Sequence, residues 1–391
     1  MRNELIRFCA MVIFCLMSIG YAEAKLHING IYYNILESNG NPPLVEVTND
    51  GYGSYSGKVS IPEWAGDCHV VAIGEQAFYD CPSLTEVSYP SSVKKIGDNA
   101  FSNCTMSSFN IGGGIESVGS HLFSGCNKLK TIYIGDCLRS ISGNFCAPNL
   151  EYIEVSPNNN TFKAEYGILS TKSGTLMCCP PNISLLIWPS GVNTIGKSAF
   201  YNLVRSELVL PESVTRINAL AFQESMINTI YIGSQVSTIE SFALGKIYPN
   251  TKAVYIAAAN PPKVLSSPIS EIIVSVGYSE DEENVILYVP SESVDAYKSA
   301  EGWKSFKNIL GYDAAGIRTV DAVEEQLFTI ENINGGIKIL STMDRTVSVI
   351  NANGLLVKNL KLSADEAEFC PLEPGYYLIT SGNHVKKLYV R

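Results

Sequence analysis

The residues of this chain best suited to metal, redox or nucleophilic work are its 11 cysteines and four histidines. His27, His69, His121 and His384 stand far apart. None belongs to a His-Glu-x-x-His helix or a nucleophile elbow, so they read as surface or partly buried structural residues. No cysteine pair has the C-x2-C spacing of a zinc site. The acidic run Glu280, Asp281, Glu282, Glu283 lies between the strand-like segments "IIVSV" and "VILYV" and reads as a solvated hairpin tip. A calcium loop would instead alternate its ligands around a glycine. Gly112 to Gly114 lacks the lysine of a phosphate-binding loop, and nothing specifically proposes the paired carboxylates of a glycosidase. The expectation is a protein that is not an enzyme, with no catalytic residue, no metal site and no cofactor.

The cysteines carry a different message. Cys81, Cys104 and Cys126 recur at intervals of 23 and 22 residues, and each occupies the same place in a repeated sentence. "VVAIGEQAFYDCPSLTEVSYP" from Val70 is followed at once by "VKKIGDNAFSNCTMSSFNIG" from Val93. Anchors at Ile73, Ile96, Val118, Ile141, Ile195, Ile217 and Ile239 are separated by 23, 22, 23, 54, 22 and 22 residues. The interval of 54 is one unit plus an insertion, after which the register resumes. A period in the low twenties specifies a solenoid whose units cannot bury their apolar faces alone. Cys81, Cys104 and Cys126 then form a buried ladder of small thiols or, alternatively, cross-rung disulfides, since equivalent residues of adjacent rungs lie about 5 Å apart. Adjacent Cys178 and Cys179 fall in the insertion and cannot easily bond each other.

Within each unit the anchor and a Phe, at Phe78, Phe101, Phe123, Phe145, Phe200 and Phe222, point inward, and a brief strand follows. The strands are "TEVSYP", "SSFNIG", "KTIYIG", "EYIEVS", "LLIWPS", "ELVLPE" and "NTIYIG", with the alternation of half-buried strands. Val87, Phe109, Ile132, Ile153, Leu186, Leu208 and Ile230 share the inward parity, together with the residue two further on. The outward column is Ser88, Asn110, Tyr133, Glu154, Ile187, Val209 and Tyr231, extended by Tyr255 and Tyr288, with Tyr152 joining from a neighbouring column. Stacked rungs would make it a contiguous sheet face. Tyrosine offers a rigid apolar plate with a polar tip, so Tyr133, Tyr152, Tyr231, Tyr255 and Tyr288 are the candidate ligand-binding residues. Exposed tyrosine is also simply a good strand former.

Bulk properties narrow the partners. Charged residues are 17% and hydrophobic residues 46%, the balance of a folded chain. A net charge of -10 disfavours nucleic acid and anionic membrane surfaces. At the N-terminus Arg2 and Arg7 precede the apolar run Phe8 to Ile19, and Ala22 to Ala24 fit a signal-peptidase site. Residues 1–24 therefore read as a cleaved signal peptide, with the mature chain starting near Lys25 and containing no transmembrane segment. Cys9 and Cys15 leave with it, so nine of 11 cysteines remain.

The units "IGEQAFYDCPSL" (Ile73 to Leu84), "IGDNAFSNC" (Ile96 to Cys104) and "IGKSAF" (Ile195 to Phe200) resemble those of the BspA-like leucine-rich-repeat surface proteins of Bacteroides-type bacteria. The match weakens at "IESFALGK" from Ile239, where the Ala-Phe order is inverted. The resemblance takes in the entry segment Gly30 to Asn49, the variant unit Tyr166 to Pro189 and the closing segment Leu287 to Ile309, in which Ser293 to Phe306 reads as a short amphipathic helix capping the solenoid. The expected organisation is a signal peptide at 1–24, an N-terminal capping segment at 25–69, and a β-rich leucine-rich-repeat solenoid at 70–267 with an insertion near 156–189. A C-terminal repeat cap at 268–310 and a linker at 311–325 lead to a small all-β, sandwich-like module at 326–391.

In that last module, "TVSVINANGLLVKNLKL" and "GYYLITSGNHVKKLYVR" place turns at Asn353-Gly354 and Gly382-Asn383. Val347, Val349, Gly354, Gly375, Tyr377, Lys386 and Lys387 resemble the pattern of type IX secretion sorting domains, which implies contact with a secretion machinery; a merely structural cap is the alternative. Together the resemblances imply an exported protein at the cell surface or in the medium, or alternatively the periplasm. The implied role is adhesion-like binding of host or bacterial surface proteins or glycans. A structural or assembly component of the cell envelope is the other reading.

Overall fold

Each repeat unit bends the chain at the same two places. In the computed structural model, Gln76, Asn99, His121, Ser198 and Leu220, each three residues after an anchor, have φ between 53° and 56°. Asp80, Asn103, Gly125, Asn202 and Glu224, each seven residues after an anchor, have φ between 54° and 70°. Side chains other than glycine adopt this left-handed region at a cost of about 1–2 kcal/mol. The two bends turn the chain around its inward Phe, and the strain is offset by pairing with the next rung. The Phe78 amide donates to the Ala100 carbonyl at 2.8 Å, Phe101 to Leu122 at 3.2 Å and Phe200 to Ala221 at 3.0 Å. Leu220 is the one aliphatic side chain among these ten bend positions. Leu220→Gly is expected to raise stability by up to about 1 kcal/mol, read as a higher urea midpoint.

The structure describes residues 25–38, 40–183, 186–240, 243–244, 251–265, 285–304, 306–312 and, from 328 to 390, the strands of the C-terminal module without most of their turns. The segment expected as a signal peptide (1–24), the acidic run at 280–283, residues 313–325 of the expected linker and the turns at 353–354 and 382–383 lie outside the described residues, whereas Gly311 and Tyr312, expected in that linker, end the strand Asn308–Tyr312.

Most described turns of the solenoid contribute to two faces, one of short anchor strands and one of longer strands. Six of the anchors are themselves parallel strands of two or three residues: Lys95–Ile96, Ser117–Val118 and Ser140–Ile141 in one sheet, Thr194–Ile195, Arg216–Ile217 and Thr238–Glu240 in another. They are too short to show an alternating pattern in sequence. The longer strands face them across the core. Ile73, Ile96, Ile195 and Ile217 have no exposed surface, and the Phe residues stack between them, Phe78 on Phe101 at 5.1 Å and Phe200 on Phe222 at 5.1 Å.

The thiol ladder runs alongside. Cys81, Cys104 and Cys126 are free and buried. The Cys104 thiol donates to the Phe78 carbonyl at 3.1 Å and Cys126 to Phe101 at 3.0 Å. Burial pushes the Cys126 thiol up to about 12 and Cys104 well above the usual thiol range, so both stay protonated donors and poor nucleophiles. The disulfide is elsewhere: Cys146 bonds Cys178, with Cα atoms 5.9 Å apart. Cys179, beside it, remains a buried thiol.

That disulfide fastens the insertion. Phe162–Glu165 and Ile168–Thr171 form a hairpin, Thr175–Cys178 adds antiparallel, and its far edge pairs in parallel with Thr194–Ile195, which resumes the anchor sheet. Fully buried Asn159 holds the approach, its amide donating to the carbonyls of Gly135 at 2.7 Å and Leu138 at 3.0 Å. Its Oδ1 accepts from the amides of Thr161 at 2.9 Å and Phe162 at 2.7 Å.

The insertion also corrects two expectations. Leu186 to Pro189, expected as a strand, carries none. The Arg205 guanidinium donates to the Ile183 carbonyl at 2.5 Å, and Pro180, Pro181 and Pro189 supply no amide donors. The longer strands therefore do not form one contiguous face. They divide into Gly57–Ser60 with Leu84–Ser88, then Ser108–Ile111 with Thr131–Ile134 and Tyr152–Val155, then five strands from Val204–Val209 to Asn308–Tyr312. Ile187, placed in the outward column, is only 8% exposed because Ile350 and Tyr166 cover it.

At the ends, the hairpin Ile31–Glu37 with Leu44–Thr48 opens the stack and pairs in parallel with Cys68–Ile73. The closing helix is shorter than expected, Val294–Ser299, because Ala300 is extended and Gly302 takes φ +85°. Tyr297 in the helix and Trp303 in the turn after it still seal the core, donating to the carbonyls of Ala258 at 2.8 Å and Pro262 at 2.9 Å. From Phe328 onward, two antiparallel sheets, of three strands and of four, share one apolar core that includes Ile337, Val347, Val349, Cys370 and Ile379.

Candidate functional site

Parallel pairing without a register shift puts identical side chains on top of one another. In the five-stranded sheet Tyr231 is opposite Tyr255, and Tyr255 is opposite Tyr288. Their rings stack at 4.8 Å and 4.4 Å, with interplanar angles of 17° and 8°. All three are half-buried. Tyr312 packs against the middle of the row, edge-on to Tyr255 at 5.9 Å, its hydroxyl donating to the Ile256 carbonyl at 3.4 Å. Burial pushes the Tyr312 phenol up to about 12, aided by Glu292 and Glu212 nearby. Burial and the neighbouring tyrosines likewise raise Tyr255, so Tyr255 and Tyr312 stay neutral through the physiological range. Leu310, 47% exposed, continues the column beside Tyr288.

The other two candidates lie on the three-stranded sheet. Tyr133 projects between Asn110 and Glu154 in register. Tyr152 starts the next strand and is half-buried against the insertion. A Cβ on Gly167, at φ +80°, would meet the Tyr152 ring at 2.6 Å, so glycine is needed there on both counts. The structure thus gathers Tyr231, Tyr255 and Tyr288 into one feature and leaves Tyr133 and Tyr152 outside it. Tyr312 and Leu310 complete that feature without having been singled out. Their signal was positional, Tyr312 falling 24 residues after Tyr288.

The histidines do local work. His27 stacks on Tyr32 at 4.2 Å, and His69 stacks on Trp64 at 4.7 Å with Glu63 3.7 Å away. Among the described residues no three His, Cys, Asp or Glu side chains converge as a metal site, and no helix is long and apolar enough to cross a membrane.

A two-sheet solenoid with inward Phe and Cys ladders and an outward side-chain column is a leucine-rich-repeat protein that displays a surface. The family is shown by sequence: the BspA type leucine rich repeat region matches in six copies over residues 53–166 and 170–256, more than half of the chain. The chain belongs to that family. Among solved structures it is similar to a leucine-rich repeat protein from Eubacterium ventriosum, 20% identical with a TM-score of 0.50 over 74% of this chain and 86% of that one. The pneumococcal vaccine antigen PcpA is 18% identical, with a TM-score of 0.38 over 74% of this chain and 99% of that one. A leucine-rich repeat protein from Bacteroides ovatus is 18% identical, with a TM-score of 0.34 over 74% and 89%. No curated protein matches the chain.

Proposed function

We propose that this chain is an exported, cell-surface binding protein without catalytic activity, and that it recognises a protein ligand through the ladder Tyr231, Tyr255, Tyr288 and its flanks Tyr312 and Leu310. The observation that carries this reading is the stacking itself. Three rings at 4.4–4.8 Å, near parallel, cover their facing sides with one another and leave the row half-buried, so that much of what it presents is ring edge. Sugar rings pack on exposed aromatic faces; an array of edges with polar tips suits the mixed apolar and hydrogen-bonding surface of a protein. Export rests on the leader at 1–24. We assign the C-terminal module to sorting or surface attachment, a role supported by its resemblance to type IX sorting domains and by the pairing of the Lys386–Lys387 strand into its four-stranded sheet.

The test is binding of the mature chain, from Lys25 onward, to immobilised extracellular-matrix proteins. Tyr231→Ser, Tyr255→Ser and Tyr288→Ser combined should weaken saturable binding by about 100-fold or more, since interface tyrosines act as anchors of about 2 kcal/mol or greater. Unchanged binding by a folded triple variant would sink the assignment. A folded wild-type chain that binds nothing on the panel would favour a structural role in the envelope.

A further inference from the structure

The first rungs of the solenoid leave a gap that the later rungs do not. Leu84–Ser88 pairs only with Gly57–Ser60, and Ser108–Ile111 only with Thr131–Ile134, so two neighbouring rungs face each other unpaired. Two features of the sequence account for it. Phe109 stands where other units carry Val87, Ile132 or Ile153, and its ring wedges between Phe101 at 4.6 Å and Phe123 at 5.1 Å. The unit is also one residue short: Cys104 to Phe109 is five residues, against six for Cys81 to Val87 and Cys126 to Ile132.

The gap is a cup of about 460 Å³, within the range of small-ligand sites. Its walls are Thr85, Glu86, Ser88, Tyr89, Ser108 and Asn110, over a floor that includes Phe109 and Met106. Both ends are shut. At one, the Thr105 hydroxyl donates to the Pro82 carbonyl at 2.6 Å. At the other, Gly114 comes so near Ser91 that a Cβ on it would lie 2.1 Å from the Ser91 carbonyl oxygen. The Tyr89 hydroxyl spans the cup, donating to the Asn110 carbonyl at 2.7 Å and accepting from the Gly112 amide. A closed cup cannot pass an extended peptide. Glu86 is tied to Lys58 at 2.6 Å and the Ser88 hydroxyl donates to that of Ser60 at 3.1 Å, which leaves the exposed side chains of Thr85, Ser108 and Asn110 for a ligand.

We infer that this cup binds one neutral polyhydroxylated ring, a hexose unit of a glycan. Hydroxyls and a carboxamide donate and accept in turn, as vicinal sugar hydroxyls require. Val87, half-buried in the lining above that floor, offers apolar surface to the ring C–H face, and no cation lines the cup to favour a phosphate or sulfate. This site is separate from the tyrosine ladder.

The experiment is saturation-transfer NMR and titration of the mature chain with the methyl glycosides of glucose, galactose, mannose and N-acetylglucosamine, with inorganic phosphate and sulfate as anionic probes. At least one glycoside should saturate. Ser108→Ala with Asn110→Ala should weaken it about tenfold or more, the loss of two ligand hydrogen bonds, while the tyrosine triple variant leaves it unchanged. Asn110→Ala alone serves if the double variant does not fold. No saturation by any glycoside, equal binding by the folded cup variants, or preferential binding of an anion would each overturn the assignment.

Discussion

Phe101→Ala is expected to cost about 3–5 kcal/mol of stability, the range for emptying a fully buried aromatic site. Phe101 has no exposed surface and touches three other rings: Phe78 at 5.1 Å with 3° between planes, Phe109 at 4.6 Å and Phe123 at 6.3 Å. A globular core would spread this loss over the whole molecule. A solenoid rung contacts only its neighbours, so the damage should stay local. Native-state hydrogen exchange should show lost protection centred on residues 78–123 and little change across 195–240, where a separate cluster around Phe200 and Phe222 forms the core. Uniform loss along the chain would contradict the additive picture of this fold.

The second large effect is at the insertion. The Cys146–Cys178 bond closes a loop of 32 residues in sequence separation, and constraint of the unfolded chain by a loop of that size is worth about 3–4 kcal/mol. Cys146→Ser with Cys178→Ser should lower the urea unfolding free energy by that amount, and reduction of the wild type should do the same. Cys179 does not complicate the comparison. Burial pushes its thiol up to about 12 against the opposing influence of Arg205, so almost no thiolate is present to attack the neighbouring bond. An unchanged unfolding midpoint would mean that Asn159 and the pairing of Thr175–Cys178 with Thr194–Ile195 hold the hairpin without the crosslink.

The solenoid was legible because its signal is repeated. Anchor, Phe and Cys return at 22 or 23 residues, and each return is an independent statement that the same side chain needs the same buried place. The parity of the longer strands was readable for the same reason: Phe109, Ile132, Ile153, Leu208 and Ile230 are buried, while Val87, beside the unpaired gap, and Leu186, where no strand forms, are only half-buried. What composition and spacing could not convey is where pairing between rungs fails. Ladder formation depends on whether two backbones approach to hydrogen-bonding distance, and that is decided by the bulk and count of residues beneath them.

Phe109 and its one-residue-short turn separate two rungs that read alike, and Arg205 with three prolines removes the rung at Leu186 to Pro189. The partner of Cys146 was hidden likewise, since the hairpin that brings Cys178 to it interrupts the spacing of 22 or 23 residues. The tyrosine column shows both levels at once. Its outward parity is a property of alternation along single strands, but the stacking of Tyr231, Tyr255 and Tyr288, and the exclusion of Tyr133 and Tyr152, follow from which strands share a sheet.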